Sequence, residues 1–209
     1  MQISSVTTSA VIALTLVAVF AALGFGWRSW VQYRATGATG FHGISGRPGS
    51  LEWLAGVGLV VAVIAAVAAP VLQLAGAVTP LDALRAEWLQ WSGVAVAAVG
   101  IAGTLYAQLD MGDSWRIGVD PNETTTLVRS GAFGLVRNPI FTAMLVFGFG
   151  IALVTPNAVA VAGFVLLLAA IELQVRVVEE PYLLATHGDT YRTYAASAGR
   201  FVPGVGLLD

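Results

Sequence analysis

The sequence predicts an all-α, polytopic membrane protein with about five transmembrane helices, its N-terminus outside and its C-terminus inside. Three observations point there. The 209 residues are 57% hydrophobic and only 11% charged, whereas an average soluble domain is about a quarter charged. The mean hydropathy is +0.80. The charges are also gathered into short stretches separated by long apolar runs, and a spanning helix needs roughly 20 such residues.

The runs set the elements in order. Nothing before Arg28 is charged, which gives a first span near 8–27. The gap from Glu52 to Asp82 holds a second near 51–76, and that from Glu87 to Asp110 a third near 88–108. Arg137 to Glu172 is free of charge over thirty-four positions, long enough for two shorter spans. Thr155-Pro156-Asn157 sits in its middle as a turn signal, so this stretch reads as a helical hairpin, about 139–154 and 157–179. Met1–Ala10 lacks the positive n-region of a signal peptide, and the first run therefore reads as a retained anchor. Orientation follows from the arginines. With the N-terminus out, segments 28–50, 109–138 and 180–209 lie inside and hold most of them, while Arg85 alone lies outside. Trp27, Trp30, Trp53, Trp88 and Trp91 fall near span ends, where interfacial aromatics belong. The Gly-rich segment 34–50 reads as a cytoplasmic loop and 192–209 as a short tail. The whole chain, 1–209, is one integral membrane domain, with three N-terminal spans in 1–107 and the chemistry-bearing half in 108–209.

Composition excludes several functions. A net charge of −2 offers no basic footprint for nucleic acid. The absence of cysteine removes disulfides, thiolate nucleophiles and zinc–thiolate sites. The absence of lysine removes Schiff-base chemistry and a P-loop lysine. His42 and His187 are isolated, so no metal site is expected.

Polar residues concentrate in 110–139 and 172–203, both on the inner side. In the second, Glu172, Arg176 and Glu180 recur every fourth residue and Glu179 follows Arg176 by three, which stacks them on one helix face. That pattern admits two readings: a polar cavity wall, since ionisable groups at a membrane edge tend to face cavities, or an ordinary ion-pair ladder at a helix end. Pro181 ends or kinks that helix. In the first segment, Gly131 allows close backbone approach. Pro139 in the first turn of the fourth span leaves amide donors free at a positive helix end. Arg137 either grips a carboxylate in bidentate fashion or is a positive-inside anchor.

These residues together resemble the isoprenylcysteine carboxyl methyltransferase family, whose broad pattern phospholipid N-methyltransferases share. The family motif, roughly G-x-(Y/F)-x-x-x-R-H-P-x-(Y/F), a hairpin, E-E-x-x-L, F-G-x-x-Y-x-x-Y and a terminal (R/F)-(I/V)-P, is matched by Gly131, Phe133, Arg137, Pro139, Phe141, Glu179, Glu180, Leu183, Gly188, Tyr191, Tyr194, Arg200 and Pro203. Gly112 to Arg116 (G-x-S-W-R) and Thr126-Leu127-Val128 look like the bacterial members. The likeness covers about 108–203. It implies a multi-pass enzyme of the inner (plasma) membrane that uses S-adenosylmethionine in a cytosol-facing pocket and admits a lipophilic acceptor sideways between helices. It implies cofactor contacts from Gly131, Leu135, Val136, Arg137, Asn138, Pro139, Glu179, Glu180 and Tyr191, catalytic roles for Arg137, Glu180 and Glu172, and an acceptor side at Trp115, Arg116 and Phe141. The chain departs from the pattern at Asn138, where the family has His and which cannot carry a proton at neutral pH, at His187 in place of Phe, and at Phe141 in place of Tyr.

Methyl transfer from a sulfonium is an in-line displacement, so alignment and dehydration supply much of the acceleration. The cofactor's carboxylate wants an Arg fork and its ammonium a carboxylate. The lysine-free, Ala/Val/Gly-rich composition suggests a high-GC bacterium, and hence a lipid or isoprenoid acceptor rather than a processed protein terminus. Two rival readings are an NADPH-dependent lipid or sterol-type reductase, which needs extra cations for the 2′-phosphate, and a non-enzymatic lipid-binding protein with a degenerate pocket.

Overall fold

The computed structural model describes residues 6–40, 43–112, 115 and 126–208. Among them there is no strand; helices carry the architecture, joined by short turns and the isolated bridges Val136–Gly199 and Val202–Val205. We label the helices α1 (Val6–Thr36), α2 (Leu51–Leu74), α3 (Glu87–Met111), α4 (Pro139–Val154), α5 (Ala158–His187) and α6 (Asp189–Ser197). Four of them, α1, α2, α3 and α5, are long and apolar enough to cross a membrane. The fifth expected span, α4, has 16 residues, about 24 Å of helix, somewhat less than a bilayer core of roughly 30 Å.

The expected boundaries are extended at two places. The first helix continues past Trp27 to Thr36, through a π-helical turn at Ala22–Trp27. The last continues past residue 179 to His187, through a second π-helical turn at Val175–Glu179. Pro181 explains the second. It has no N–H, and its ring would strike the carbonyl four residues back in a regular helix. The wider turn just before it accommodates the ring, so the proline neither ends the helix nor leaves it regular. The expected tail also contains α6 and a segment that folds back on α4.

Packing is by small residues, as suits helices in lipid. Helix α3 lies along α4, α2 lies along α5, and α1 touches α2, α3 and α4. A Cβ on Gly100 would strike the Phe147 backbone, and one on Gly150 the Ala97 backbone. The stacked rings of Phe20 and Phe147, 4.1 Å apart, lock α1 to this pair.

The two ends of the bundle differ. At the hairpin end, Ser50-type capping is repeated by Asn157, whose Oδ1 accepts from Ala160 N–H at 3.0 Å. Asn157 Nδ2 donates to Ala69 O and Gln73 Oε1, each at 3.1 Å. Gln73 Nε2 donates in turn to Val6 O and Ser9 Oγ, also at 3.1 Å. These side chains are buried, and the network ties α1, α2 and α5 together. At the opposite, Arg-bearing end the α3–α4 and α2–α5 pairs enclose a cavity.

Candidate functional site

The cavity has a volume of about 500 Å³, within the usual range for small-molecule sites. Its walls come from α1 (Phe25), the loop at Gly43–Ser45, α2, α3, α4, α5 and the segment Thr126–Val128. The two π-helical turns each contribute a wall residue, Phe25 and Glu179. Such turns recur at functional sites because they re-aim side chains. One part of the wall is polar: Arg137, Asn138, Gln174, Glu179 and Tyr194. The other is apolar: Leu59, Val60, Val63, Ile64, Met144 and Leu167. Val60, Val63 and Ile64 are also 49%, 50% and 59% exposed, so the cavity opens at the flank of α2.

Behind the polar wall is a clamp. Arg137 Nη2 donates to Glu180 Oε1 at 2.8 Å, and Arg200 donates to both Glu180 oxygens, Nε at 2.8 Å and Nη2 at 3.0 Å. Arg137 also donates to Ala195 O, Ala198 O and Gly206 O. Its backbone N–H reaches Gly199 O at 2.7 Å, and Asn138 Nδ2 reaches Arg200 O at 3.1 Å. The C-terminal segment is thereby bound to the start of α4. A carboxylate shared by two guanidiniums pairs all three buried charges, and the bonds Arg200 donates to Glu180 hold its guanidinium above its usual range. Tyr191 and Tyr194 are buried against the same structure. Burial, with the negative charge of Glu180 near Tyr191 and of a Tyr191 phenolate near Tyr194, raises both phenols to about 12. Tyr194 donates to Phe133 O at 2.6 Å.

A family model for phospholipid methyltransferases matches residues 88–190. A solved structure of the eukaryotic intramembrane Ras methyltransferase ICMT (isoprenylcysteine carboxyl methyltransferase) is similar in fold, with a TM-score of 0.52 and 19% identity. The sequence likeness to phospholipid methyltransferases covers just under half of the chain, and the likeness to ICMT is one of fold. The structural likeness covers 79% of this chain but 56% of the eukaryotic one, so the chain spans little more than half the length of that relative. No match is found among curated proteins. The chain is a multi-pass membrane protein.

The residues expected at the site separate into three groups. Arg137, Asn138, Pro139, Phe141, Glu179 and Trp115 line the cavity. Glu180, Tyr191, Val136, Leu135 and Gly131 are not wall residues. Glu180 and Tyr191 lie in the clamp, buried Val136 bridges to Gly199, and Leu135 is 64% exposed. Gly131, at φ +56°, turns the chain where a Cβ would meet the Asp110 carboxylate, which accepts from Ala132 N–H at 2.9 Å. Glu172 stands apart. It pairs with Arg176 at 2.7 Å on the half-exposed outer side of α5, the simple i,i+4 ion pair. Arg116 and His42 lie outside the described residues. Trp115 is buried, with the Arg28 guanidinium 4.8 Å above its ring.

Arg137 is thus committed to protein oxygens through both terminal nitrogens; its buried Nε alone has no partner. Residues without a sequence-based expectation also enter the wall: Thr104, Gln108 and Gln174. Their signal was available, since neutral polar residues in apolar spans are costly to bury unless used.

Proposed function

We propose that the chain transfers a methyl group from S-adenosylmethionine to a lipophilic acceptor that enters from the bilayer. The observation that carries this reading is one cavity with a polar wall at the Arg-bearing end and an apolar wall opening at the flank of α2. A polar cofactor and a greasy acceptor must meet, and this cavity offers each a matching wall.

The residues present fit the cofactor. Glu179 supplies a carboxylate for an ammonium or ribose hydroxyls. Asn138 and Gln174 supply amides, and Phe133 supplies aromatic surface. Bound there, the sulfonium supplies an activated methyl group, which a lone pair on the acceptor takes while the sulfur leaves as a neutral thioether. The protein's share is alignment and dryness. The clamp of Glu180 with Arg137 and Arg200 fixes the polar wall, so Glu180 acts here by positioning Arg137. Glu179 is the carboxylate among the described wall residues, and for an amine acceptor it is the group in place to take the released proton. Asn138, where the family pattern has His, serves by hydrogen bonding and not by carrying charge. Trp115 and Phe141 lie on the acceptor side. The inner (plasma) membrane is the proposed location, with the Arg-bearing end facing the cytosol.

A reductase reading asks for cations at a 2′-phosphate. Arg137 is the cation of the described wall, and its terminal nitrogens are taken. The test is turnover of methyl-labelled S-adenosylmethionine with an extracted membrane-lipid mixture. Label in the lipid phase, lost on Glu179→Ala, is expected. Unlabelled lipid with a tightly bound NADPH would overturn the reading.

A further inference from the structure

Thr104 and Gln108 lie one turn apart in the last two turns of α3, and both line the cavity. Each residue is 98% buried, at 2% exposure. Gln108 Nε2 is spent on Gly24 O at 2.8 Å, in the π-helical turn of α1. That bond fixes which end of the amide is Nε2 and leaves Oε1 as the end without a partner. Neither Gln108 Oε1 nor Thr104 Oγ1 has a hydrogen-bond partner. Every buried side chain in the hairpin-end network, by contrast, is partnered. An unmade bond of this kind carries the full desolvation cost of the atom, and this helix has two, side by side, at a cavity wall.

We infer that Thr104 and Gln108 form a hydrogen-bonding subsite for an amphiphile whose head carries an N–H or O–H donor. Gln108 Oε1 can only accept. Thr104 Oγ1 can accept and can donate onward to the same head group. A carboxylate head is disfavoured here, because it would place an anion against a fixed amide oxygen. The apolar wall of α2 takes the chain of the amphiphile, and the exposed flank at Val60, Val63 and Ile64 is its way in. Both oxygens are buried at the wall, so seating the donor needs a side-chain rotation there. That this amphiphile is the methyl acceptor rests on the reading above; the subsite itself does not.

The test uses three probes of one chain length. Lauramide carries an N–H donor, methyl laurate accepts only, and laurate is an anion. The whole chain is placed in nanodiscs of phosphatidylcholine, whose head group has no donor, and each probe competes against tritiated lauramide. Wild type is expected to prefer lauramide over methyl laurate by about tenfold, the worth of one satisfied buried acceptor, and to bind laurate most weakly. Thr104→Val preserves shape and breaks no internal bond, so it should fold as wild type while cutting the preference several-fold. Gln108→Leu should abolish it. Equal binding of lauramide and methyl laurate by wild type would overturn the proposal, as would a preference that survives in Thr104→Val. S-adenosylhomocysteine binding is measured on the same samples. Its absence beside an intact lauramide preference would remove the methyl-transfer reading and leave the subsite standing; its presence with no preference would do the reverse.

Discussion

The hairpin end and the Arg-bearing end are made from the same helices but solve opposite problems. At the hairpin end Ser9, Gln73 and Asn157 satisfy one another and the backbones of three helices. At the other end the helix pairs separate around a cavity, which is closed by the clamp of Glu180 on α5 with Arg137 and Arg200, two residues just outside α4 and α6. Within the cavity, wall atoms of Thr104 and Gln108 remain unpaired. Complete satisfaction marks the part that only holds the fold; incomplete satisfaction marks the part prepared for a ligand.

Substitutions can break or sharpen this contrast. Removing the shared carboxylate with Glu180→Ala strands two guanidiniums, and losing one partner of a buried ion pair costs about 3–5 kcal/mol. The expected result is early proteolytic release of the C-terminal segment from purified protein, with the hairpin end still protected. Gly150→Val pushes α4 off α3 and should lower thermal stability by about 1–3 kcal/mol, since overpacking at a close contact is not easily relieved. Asn157→Ala removes a helix cap and a link between α2 and α5, a loss of about 1–2 kcal/mol by denaturant titration. Alkali should reach the clamp before the hairpin end. Tyr191 and Tyr194 are raised to about 12 in the fold, above the ordinary phenol near 10. Their stabilisation is complete below pH 10 and is lost as pH rises toward 12, because the unfolded phenols ionise first. Phenolate absorbance against pH should show these two titrating late and with loss of the C-terminal fold. Thr104→Val should not lower stability and should raise it by about 1 kcal/mol, because it removes a buried hydroxyl that bonds to nothing in the protein.

Much of this was legible in the chain itself. Charge-free runs located the helices, since apolar length is what a bilayer demands, and Thr155-Pro156-Asn157 marked the hairpin turn to within a residue. The order of Gly131, Arg137, Pro139 and the Glu179–Glu180 pair pointed to the C-terminal half alone, whereas the cavity also takes walls from α1, α2, α3 and the loop at Gly43–Ser45, which carry no motif. What periodicity could not supply was which partner each charge takes. Glu172, Arg176 and Glu180 share a spacing, yet the π-helical turn between them rotates Glu180 into the clamp and leaves Glu172 with Arg176 outside. Arg137 and Arg200 are 63 positions apart and meet only because the segment after α6 folds back. Thr104 and Gln108 carry no charge and belong to no motif, so their place at the cavity appears only when α1, α3 and α4 are brought together.

The central claim is that the cavity beside the clamp holds an S-adenosyl cofactor. Calorimetric titration of the purified protein with S-adenosylhomocysteine, with NADPH in parallel, tests it most directly. The account predicts binding of S-adenosylhomocysteine alone, abolished by Glu179→Ala in the wall and unchanged by Glu172→Ala on the outer face. Binding of NADPH instead, or of neither, would contradict it.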